Sequence, residues 1–79
     1  MINLRILRID KVVFEGAVSR IRFYTCAGSR AVFPNHAPLL CDLTRFFSYH
    51  AAETNENVKI NIESGFFRIE NNQAVALIN

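Results

Sequence analysis

The sequence predicts an all-β fold, a small antiparallel β-sandwich of about eight to ten short strands. Apolar and polar residues alternate with a period of two in several separate stretches, most regularly over residues 58–63, as in strands with one buried face. Turn-forming residues separate these stretches at short intervals, and no stretch has the period of an amphipathic helix. Two antiparallel sheets that share one layer of apolar side chains would satisfy this pattern.

The first half of the chain contains four predicted strands, at residues 2–6, 12–14, 18–24 and 31–33. The apolar run at 12–14 is closed by Glu15-Gly16. Val18 is out of phase with Ile21, which predicts a β-bulge near Ser19. The small and polar residues 26–29 predict a turn before the fourth strand.

Five further strands are predicted in the second half, at residues 39–43, 46–49, 58–62, 66–70 and 74–79. Residues 39–43 fit a helix or a strand, and their short length after Pro38 favours a strand. Residues 51–57 form a polar loop, and Ser64-Gly65 separates two of the strands. The candidates for the shared core layer are Phe14, Phe23, Ile60, Ile62, Phe67 and Ile69.

Asn71-Asn72 predicts a two-residue hairpin turn, because asparagine tolerates the positive φ that a type I′ turn requires. Such a turn pairs Glu70 with Gln73, Ile69 with Ala74 and Phe67 with Ala76. The last two pairs place a large side chain opposite a small one, which packs well against a second sheet.

Seventy-nine residues predict one domain, residues 1–79, with a thin core, because a domain this small buries only about 60–65% of its unfolded surface. The net charge is +2, and six of the nine Lys and Arg residues lie within the first thirty positions. That asymmetry leaves nucleic-acid binding open as one hypothesis. The arginines nevertheless alternate with apolar residues, which is typical of the solvated face of a strand.

Motifs of catalysis are missing from the sequence. It contains no phosphate-binding glycine loop, no GxSxG serine and no paired carboxylates suited to acid/base chemistry. Cys26 and Cys41 lack metal-binding spacing, and we expect both to be reduced. No apolar stretch approaches the roughly 18 residues of a transmembrane helix. We therefore expect no enzymatic activity, no cofactor and no metal.

Both prolines lie in one segment, Phe33-Pro34-Asn35-His36-Ala37-Pro38-Leu39-Leu40, between two predicted strands. Proline fixes φ and cannot donate to a strand ladder, so the segment predicts a rigid exposed connection. Such a loop is either an ordinary stiff turn or an edge that recognises a partner.

This segment and the VFEG sequence at Val12–Gly16 resemble the epsilon subunit of F-type ATP synthases. Sixteen residues separate the two motifs, as in that family, and residues 60–66 and 75–77 resemble its later strands. Six positions depart from the family pattern, namely Ser29, Arg30, Ala31, Arg45, Phe46 and Ser64. Where glycines are replaced, the turn geometry they supplied by positive φ must come from other residues.

The resemblance implies a flattened β-sandwich and a mechanical role. The protein would be a non-catalytic central-stalk subunit that packs on the gamma subunit and docks it to the membrane rotor ring. The residues implied to contact the gamma subunit are Asn35, His36, Ala37, Pro38 and Leu39. Those implied to face the ring are Gly28, Ser29 and Arg30. Outward apolar residues such as Leu7, Tyr24 and Phe66 would add to the gamma surface.

Members of the family usually continue into a two-helix C-terminal domain, to which inhibition of ATP hydrolysis is assigned. The chain ends at Asn79, so the resemblance predicts the sandwich domain without that brake or its nucleotide site. It also implies a peripheral location at the cytoplasmic face of the bacterial inner membrane. A diverged stand-alone β-sandwich that binds another protein is the alternative, and the changes at Ser29, Arg30 and Arg45 motivate it.

Overall fold

The computed structural model describes residues 1–79 as six β-strands without a helix. The strands are β1 (Ile2–Arg8), β2 (Lys11–Thr25), β3 (Gly28–Val32), β4 (Leu39–Ala51), β5 (Glu56–Glu70) and β6 (Gln73–Ile78). The all-β prediction is therefore confirmed. None of the chain forms a helix that is long and apolar enough to cross a membrane.

The six strands form one sheet that closes on itself. Its order is β1-β6-β5-β4-β2-β3, and an additional pairing of β1 with β2 closes the ring. All neighbours are antiparallel except β1 and β6, which run parallel. The first half of β2 pairs with β1, and its second half lies between β3 and β4. The closed sheet is a flattened sandwich measuring 27 × 26 × 20 Å.

The predicted number of strands was too high, because three predicted breaks lie inside continuous strands. Gly16 lies within β2, Arg45 within β4, and Ser64-Gly65 within β5. The ladder between β4 and β5 shifts its register between Leu43 and Arg45, and Arg45 has a φ of 68°. A bulge bends a strand while the hydrogen bonds on either side continue. The sequence thus predicted breaks at these residues because it does not show that each strand continues through them.

The bulge predicted near Ser19 is confirmed. The register of β2 with β4 shifts between Val18 and Arg20. Val18 is the last β2 residue in register with β1, opposite Ile2, and it also pairs with Ala51 of β4. The bulge therefore lies where β2 passes from one layer of the sandwich to the other.

The hairpin predicted at Asn71-Asn72 is also confirmed. The two residues have φ values of 51° and 61°, both in the left-handed region that a type I′ turn requires. The strands that flank the turn pair in the predicted register, Glu70 with Gln73, Ile69 with Ala74 and Phe67 with Ala76.

The core is one cluster between the two layers of the flattened sheet. Phe23, Phe47 and Phe67 are fully buried at its centre, and their ring centroids lie 4.8 to 6.0 Å apart. Four of the six predicted core residues are buried, Phe23, Ile62, Phe67 and Ile69. The other two, Phe14 and Ile60, are half-buried against the cluster, so the prediction was wrong only about their depth.

Candidate functional site

The proline segment connects β3 to β4 and is fastened to the β5–β6 turn. The backbone N–H of Asn35 donates to Asn72 Oδ1 at 2.7 Å, and Asn72 Nδ2 donates to Asn35 Oδ1 at 3.1 Å. Asn35 has a φ of 67°, which asparagine accepts more readily than most residues. This reciprocal pair of hydrogen bonds fixes the turn of the loop after Pro34.

Asn72 also holds the start of β1. Its backbone carbonyl accepts the N–H of Asn3 at 2.8 Å. One residue in a two-residue turn therefore joins three segments that are distant in sequence. The loop is an ordered edge because its partners belong to the closed sheet.

The predicted gamma-contact residues form one continuous edge of the molecule. Asn35, Ala37 and Pro38 are exposed, His36 is half-buried, and Leu39 enters β4 opposite Ile69. His36 Nδ1 lies 2.7 Å from the carbonyl oxygen of Ala37. Because a carbonyl only accepts, Nδ1 donates in this contact.

The predicted ring-facing residues begin β3 and do not form the turn itself. The turn that joins β2 to β3 lies at Cys26 and Ala27, the first half of the predicted turn at residues 26–29, and β3 already begins at Gly28. The hydroxyl of Thr25 donates to the carbonyl of Gly28 at 2.9 Å and accepts the N–H of Ala27 at 3.1 Å. Gly28 has a φ of 116°, a conformation that glycine adopts at little cost.

Ser29 and Arg30 are both exposed on this edge strand. Arg30 is opposite the buried Phe23 in the β2–β3 ladder, so its side chain leaves the strand on the inner side, at the rim of the sandwich. Burial raises the pKa of the Cys41 thiol in β4, and the neighbouring carboxylate of Asp42 raises it further. The positive charge of Arg30 acts in the opposite direction and lowers the pKa of this thiol.

Asp42 holds the tip of the β2–β3 hairpin. Its carboxylate accepts the backbone N–H of Cys26 at 3.3 Å, and the Cys26 sulfur lies 3.5 Å from its other oxygen. The carboxylate thus links the hairpin to β4, as Asn72 links the proline loop to β5 and β6. The two predicted contact groups are fastened to different parts of the sheet, and no hydrogen bond joins them.

An apolar surface that the sequence indicated only in part crosses four strands. Four outward apolar residues follow one another across β5, β6, β1 and β2, each directly opposite the next. We call this set the apolar row: Phe66, Leu77, Leu7 and Val12. Phe66 is 61% exposed, Val12 51% and Leu77 49%. Large neighbouring apolar side chains left in water mark a surface that another molecule covers.

The apolar row has an apolar extension on one side and a polar rim. Leu40 of β4, 72% exposed, lines a shallow depression together with Phe66, Val75 and Leu77. The rim includes Arg68, which lies opposite Leu40 and Val75. It also includes Arg5, whose Nε lies 2.8 Å from a carboxylate oxygen of Glu15. An apolar centre with a charged rim is the arrangement of a protein-binding patch.

Two of the three residues predicted to add an outward apolar surface, Leu7 and Phe66, lie in the apolar row. Tyr24 does not. It is half-buried on the outer face of the opposite part of the sheet, where the Arg45 guanidinium lies 4.6 Å from its ring centre. Period-two alternation cannot separate these two outer faces, because it places all three residues outward.

His, Cys, Asp and Glu side chains form no group of three or more that would hold a metal ion. Every buried side-chain nitrogen and oxygen has a hydrogen-bond partner. The polar contacts described above hold the loops against the sheet. The side chains that remain available to a partner lie on the outer faces of the molecule. These faces are suited to binding a protein.

Comparison with known proteins agrees with this fold. The model of the ATP synthase delta/epsilon chain beta-sandwich domain matches residues 1–79. The chain belongs to this family. The resemblance found in the VFEG and proline segments is therefore confirmed.

Relatives with curated names are ATP synthase epsilon chains. The chain is 34% identical over 80 residues to the chloroplastic epsilon chain of Psilotum nudum, covering 100% of this chain and 59% of that one. It is 28% identical over 79 residues to the epsilon chain of Synechococcus sp. (strain PCC 6716), covering 100% and 56%. The chain thus spans less than two thirds of the length of these relatives.

Solved structures with the same fold come from ATP synthases. One is a chain in the Euglena gracilis mitochondrial ATP synthase OSCP/F1/c-ring assembly, with a TM-score of 0.87, 19% identity, and coverage of 98% of this chain and 49% of that one. Another is in the Tetrahymena thermophila central stalk and c-ring, with a TM-score of 0.77, 15% identity, and coverage of 98% and 62%. At these identities the agreement concerns the fold.

Proposed function

We propose that this epsilon-family sandwich is a non-catalytic part of the ATP synthase central stalk. In this role it packs on the gamma subunit, docks it to the membrane rotor ring, and so couples proton translocation to ATP synthesis. It lies peripherally at the cytoplasmic face of the membrane, held there through the complex. The observation that carries the proposal is the apolar row with its charged rim.

The apolar row is suited to a permanent partner. Fully burying one side chain of this size is worth about 1.5–3 kcal/mol, and Phe66 and Leu77 are adjacent in register. An aromatic residue near the centre of a desolvated patch is a common source of binding energy. Such a patch supports stable packing on the gamma subunit better than transient contact.

The proline segment extends the same surface. It leads directly into Leu39 and Leu40, and Leu40 lines the depression beside Phe66 and Leu77. The residues proposed to contact the gamma subunit through the loop, Asn35 to Leu39, therefore adjoin the apolar row. A loop fastened by Asn72 loses little conformational entropy when it binds.

The start of β3 is the proposed ring-facing part. Ser29 and Arg30 are exposed, and the hairpin before them is held by Thr25 and Asp42. Serine and arginine on an ordered edge offer hydrogen-bond donors to carboxylates or backbone carbonyls of polar loops. We assign Gly28, Ser29 and Arg30 to this contact.

The test is the affinity for the purified gamma subunit of the same complex. Phe66→Gln combined with Leu77→Gln keeps the strands and removes the apolar centre. We expect the dissociation constant to rise by at least about tenfold, which corresponds to 1.4 kcal/mol. Tyr24→Gln is the control, because Tyr24 is an outward aromatic residue on the opposite part of the sheet, outside the apolar row.

Titration calorimetry and circular dichroism on the same samples separate binding from folding. Unchanged affinity in the double variant would overturn the assignment of the apolar row. An equal loss in the Tyr24 variant would show that general surface hydrophobicity and not the row holds the partner.

A further inference from the structure

A second outer face, away from the apolar row, is basic. Arg22 of β2, Ser48 of β4 and Lys59 of β5 are directly opposite one another in the two ladders. Neighbouring strands lie about 4.8 Å apart, so the two cations flank the small serine across about 10 Å. We call the resulting channel the basic groove. It is lined by Arg20, Arg22, Ser48, Tyr49, Asn57, Val58 and Lys59.

The cations of the basic groove are not neutralised within the chain. None of its lining residues is acidic. The only ion pair in the molecule joins Arg5 and Glu15, beside the apolar row. Because no carboxylate pairs with the three charges, an anionic partner would gain from all of them at once.

Arg20 is held in position for such a partner. Its Nη2 donates to Asn57 Oδ1 at 3.0 Å, and His50 Nδ1 lies 2.8 Å from the same oxygen. Since guanidinium only donates, the oxygen of Asn57 must face Arg20, and Nδ1 of His50 then donates as well. One end of the guanidinium is thus fixed, and its other N–H groups remain to bind a ligand.

The aromatic rings beside the groove are already covered by cations. The Arg45 guanidinium lies 4.6 Å from the ring centre of Tyr24, and Lys59 Nζ lies 4.9 Å from that of Phe46. The two rings are neighbours, with centroids 6.2 Å apart. Nucleic-acid bases bind such faces by stacking on free rings, and these rings do not offer one. The chemistry favours carboxylates over a nucleic-acid strand.

We infer that the basic groove binds an acidic segment of a partner protein, through at least two carboxylates. Arg20 and Arg22 present planar guanidinium forks, which bind carboxylates in pairs of hydrogen bonds. Lys59 supplies a point charge on the other side of Ser48. The hydroxyl of Ser48 donates a hydrogen bond to the carbonyl of Arg22 at 3.0 Å. The cations therefore provide the hydrogen-bond donors for the carboxylates.

The test uses the full chain and a fluorescently labelled oligoglutamate peptide, with binding followed by anisotropy. Arg22→Gln combined with Lys59→Gln removes the cations that flank the groove. Arg8→Gln combined with Lys11→Gln removes the same charge elsewhere on the surface. We expect at least about a tenfold loss of peptide affinity in the groove variant at low salt and less than about a twofold loss in the control.

Each other outcome overturns the inference. Equal losses in both double variants would mean that the peptide responds only to net charge. No binding by the parent chain at low salt would remove the site. If an oligothymidylate of equal length binds more tightly than the peptide, and the groove variant loses this binding, the groove binds phosphates instead of carboxylates. Neither the gamma subunit nor the ring takes part, so the result is independent of the stalk function.

Discussion

At the scale of single residues, Asn72 does more than shape a turn. Its amide side chain bonds the proline loop at Asn35, and its carbonyl bonds Asn3. The sequence predicts its positive φ, because the Asn-Asn pair lies between two alternating stretches. It does not predict the loop contact, because nothing local relates two residues 37 positions apart.

Replacing Asn72 with glycine separates these two roles. Glycine suits the second position of a type I′ turn, so the hairpin should remain while the side-chain bonds to Asn35 are lost. One hydrogen bond is worth about 0.5–1.5 kcal/mol, so the Asn35 amide should exchange with deuterium about two- to tenfold faster. Asn71→Gly is the control, since Asn71 has a positive φ but no side-chain bond to the loop. Equal exchange in both variants would contradict this role.

The two cysteines differ in reactivity. Cys26 is exposed and Cys41 is half-buried, and burial raises the pKa of Cys41 above its usual value. Alkylation near pH 8 should therefore modify Cys26 first, because the thiolate is the reactive form. Peptide mass spectrometry over time measures the order, and faster labelling of Cys41 would contradict it.

The raised pKa of Cys41 also determines the direction in which its ionisation changes the stability of the protein with pH. The unfolded thiol ionises at lower pH than the folded one, so deprotonation favours unfolding. The contribution of Cys41 to the stability of the fold is fully present below the pKa of the unfolded thiol. It is lost as the pH rises through the pKa of the folded thiol. Cys41→Ala should flatten the decline of melting temperature over that range, and an unchanged slope would assign the decline to other groups.

At the scale of elements, continuous strands explain what the sequence could not. Three stretches that look like separate strand pairs are the single strands β2, β4 and β5. Gly16, Arg45 and Gly65 each resemble a break in sequence, since they interrupt the apolar period. Only the ladders on both sides show that hydrogen bonding continues, and ladder partners are distant in sequence. Local alternation therefore predicts faces better than it predicts strand ends.

Gly65 is needed because β5 and β6 approach closely there. A Cβ at this position would collide with the backbone carbonyl oxygen of Leu77, which cannot move aside without distorting the ladder. We expect Gly65→Ala to destabilise the protein by at least about 1–3 kcal/mol, as overpacking does. At Gly16 the atoms nearest to an added Cβ would belong to the Phe14 side chain, the first at 3.2 Å. Urea unfolding should show a smaller effect for Gly16→Ala, and equal losses would contradict this explanation.

Phe67 and Phe66 are adjacent on β5 but lie on opposite faces. Phe67 is fully buried between Phe23 and Phe47, whereas Phe66 is exposed in the apolar row. Phe67→Ala should cost about 3–5 kcal/mol, because it leaves a cavity in a thin core, and Ile62→Ala about 2–5 kcal/mol. Phe66→Ala, the matched control, should change stability by less than about 1 kcal/mol. Similar melting of the Phe66 and Phe67 variants would place Phe67 outside the core.

At the scale of the whole molecule, the closed sheet presents two outer faces of different character. The apolar row crosses β5, β6, β1 and β2, and the basic groove crosses β2, β4 and β5. Each strand contributes one to three residues to a face, so no short segment of sequence contains either. Four of the six core residues predicted from the sequence are buried, but the two faces depend on the register of several strands at once.

This arrangement predicts that ring docking and gamma binding respond to different substitutions. Arg30 lies on the edge strand β3, whereas the apolar row ends on β2 before the bulge. An exposed ion pair is worth about 0–1 kcal/mol, so Arg30→Ala should weaken ring docking at most about fivefold, mainly at low salt. Gamma affinity should not change. A loss of gamma affinity without a loss of docking would reverse the two assignments.

Cross-linking locates the ring contact directly. Ser29→Cys places a thiol beside Arg30, and Cys26→Ser removes the exposed thiol of the neighbouring turn while keeping a donor to Asp42. In the assembled complex this thiol should cross-link to a ring subunit, because Ser29 is exposed at the start of β3. A thiol introduced at Leu77 should cross-link to the gamma subunit instead. If the Ser29 thiol reaches only gamma, β3 belongs to the gamma surface and the ring must contact another edge of the sandwich.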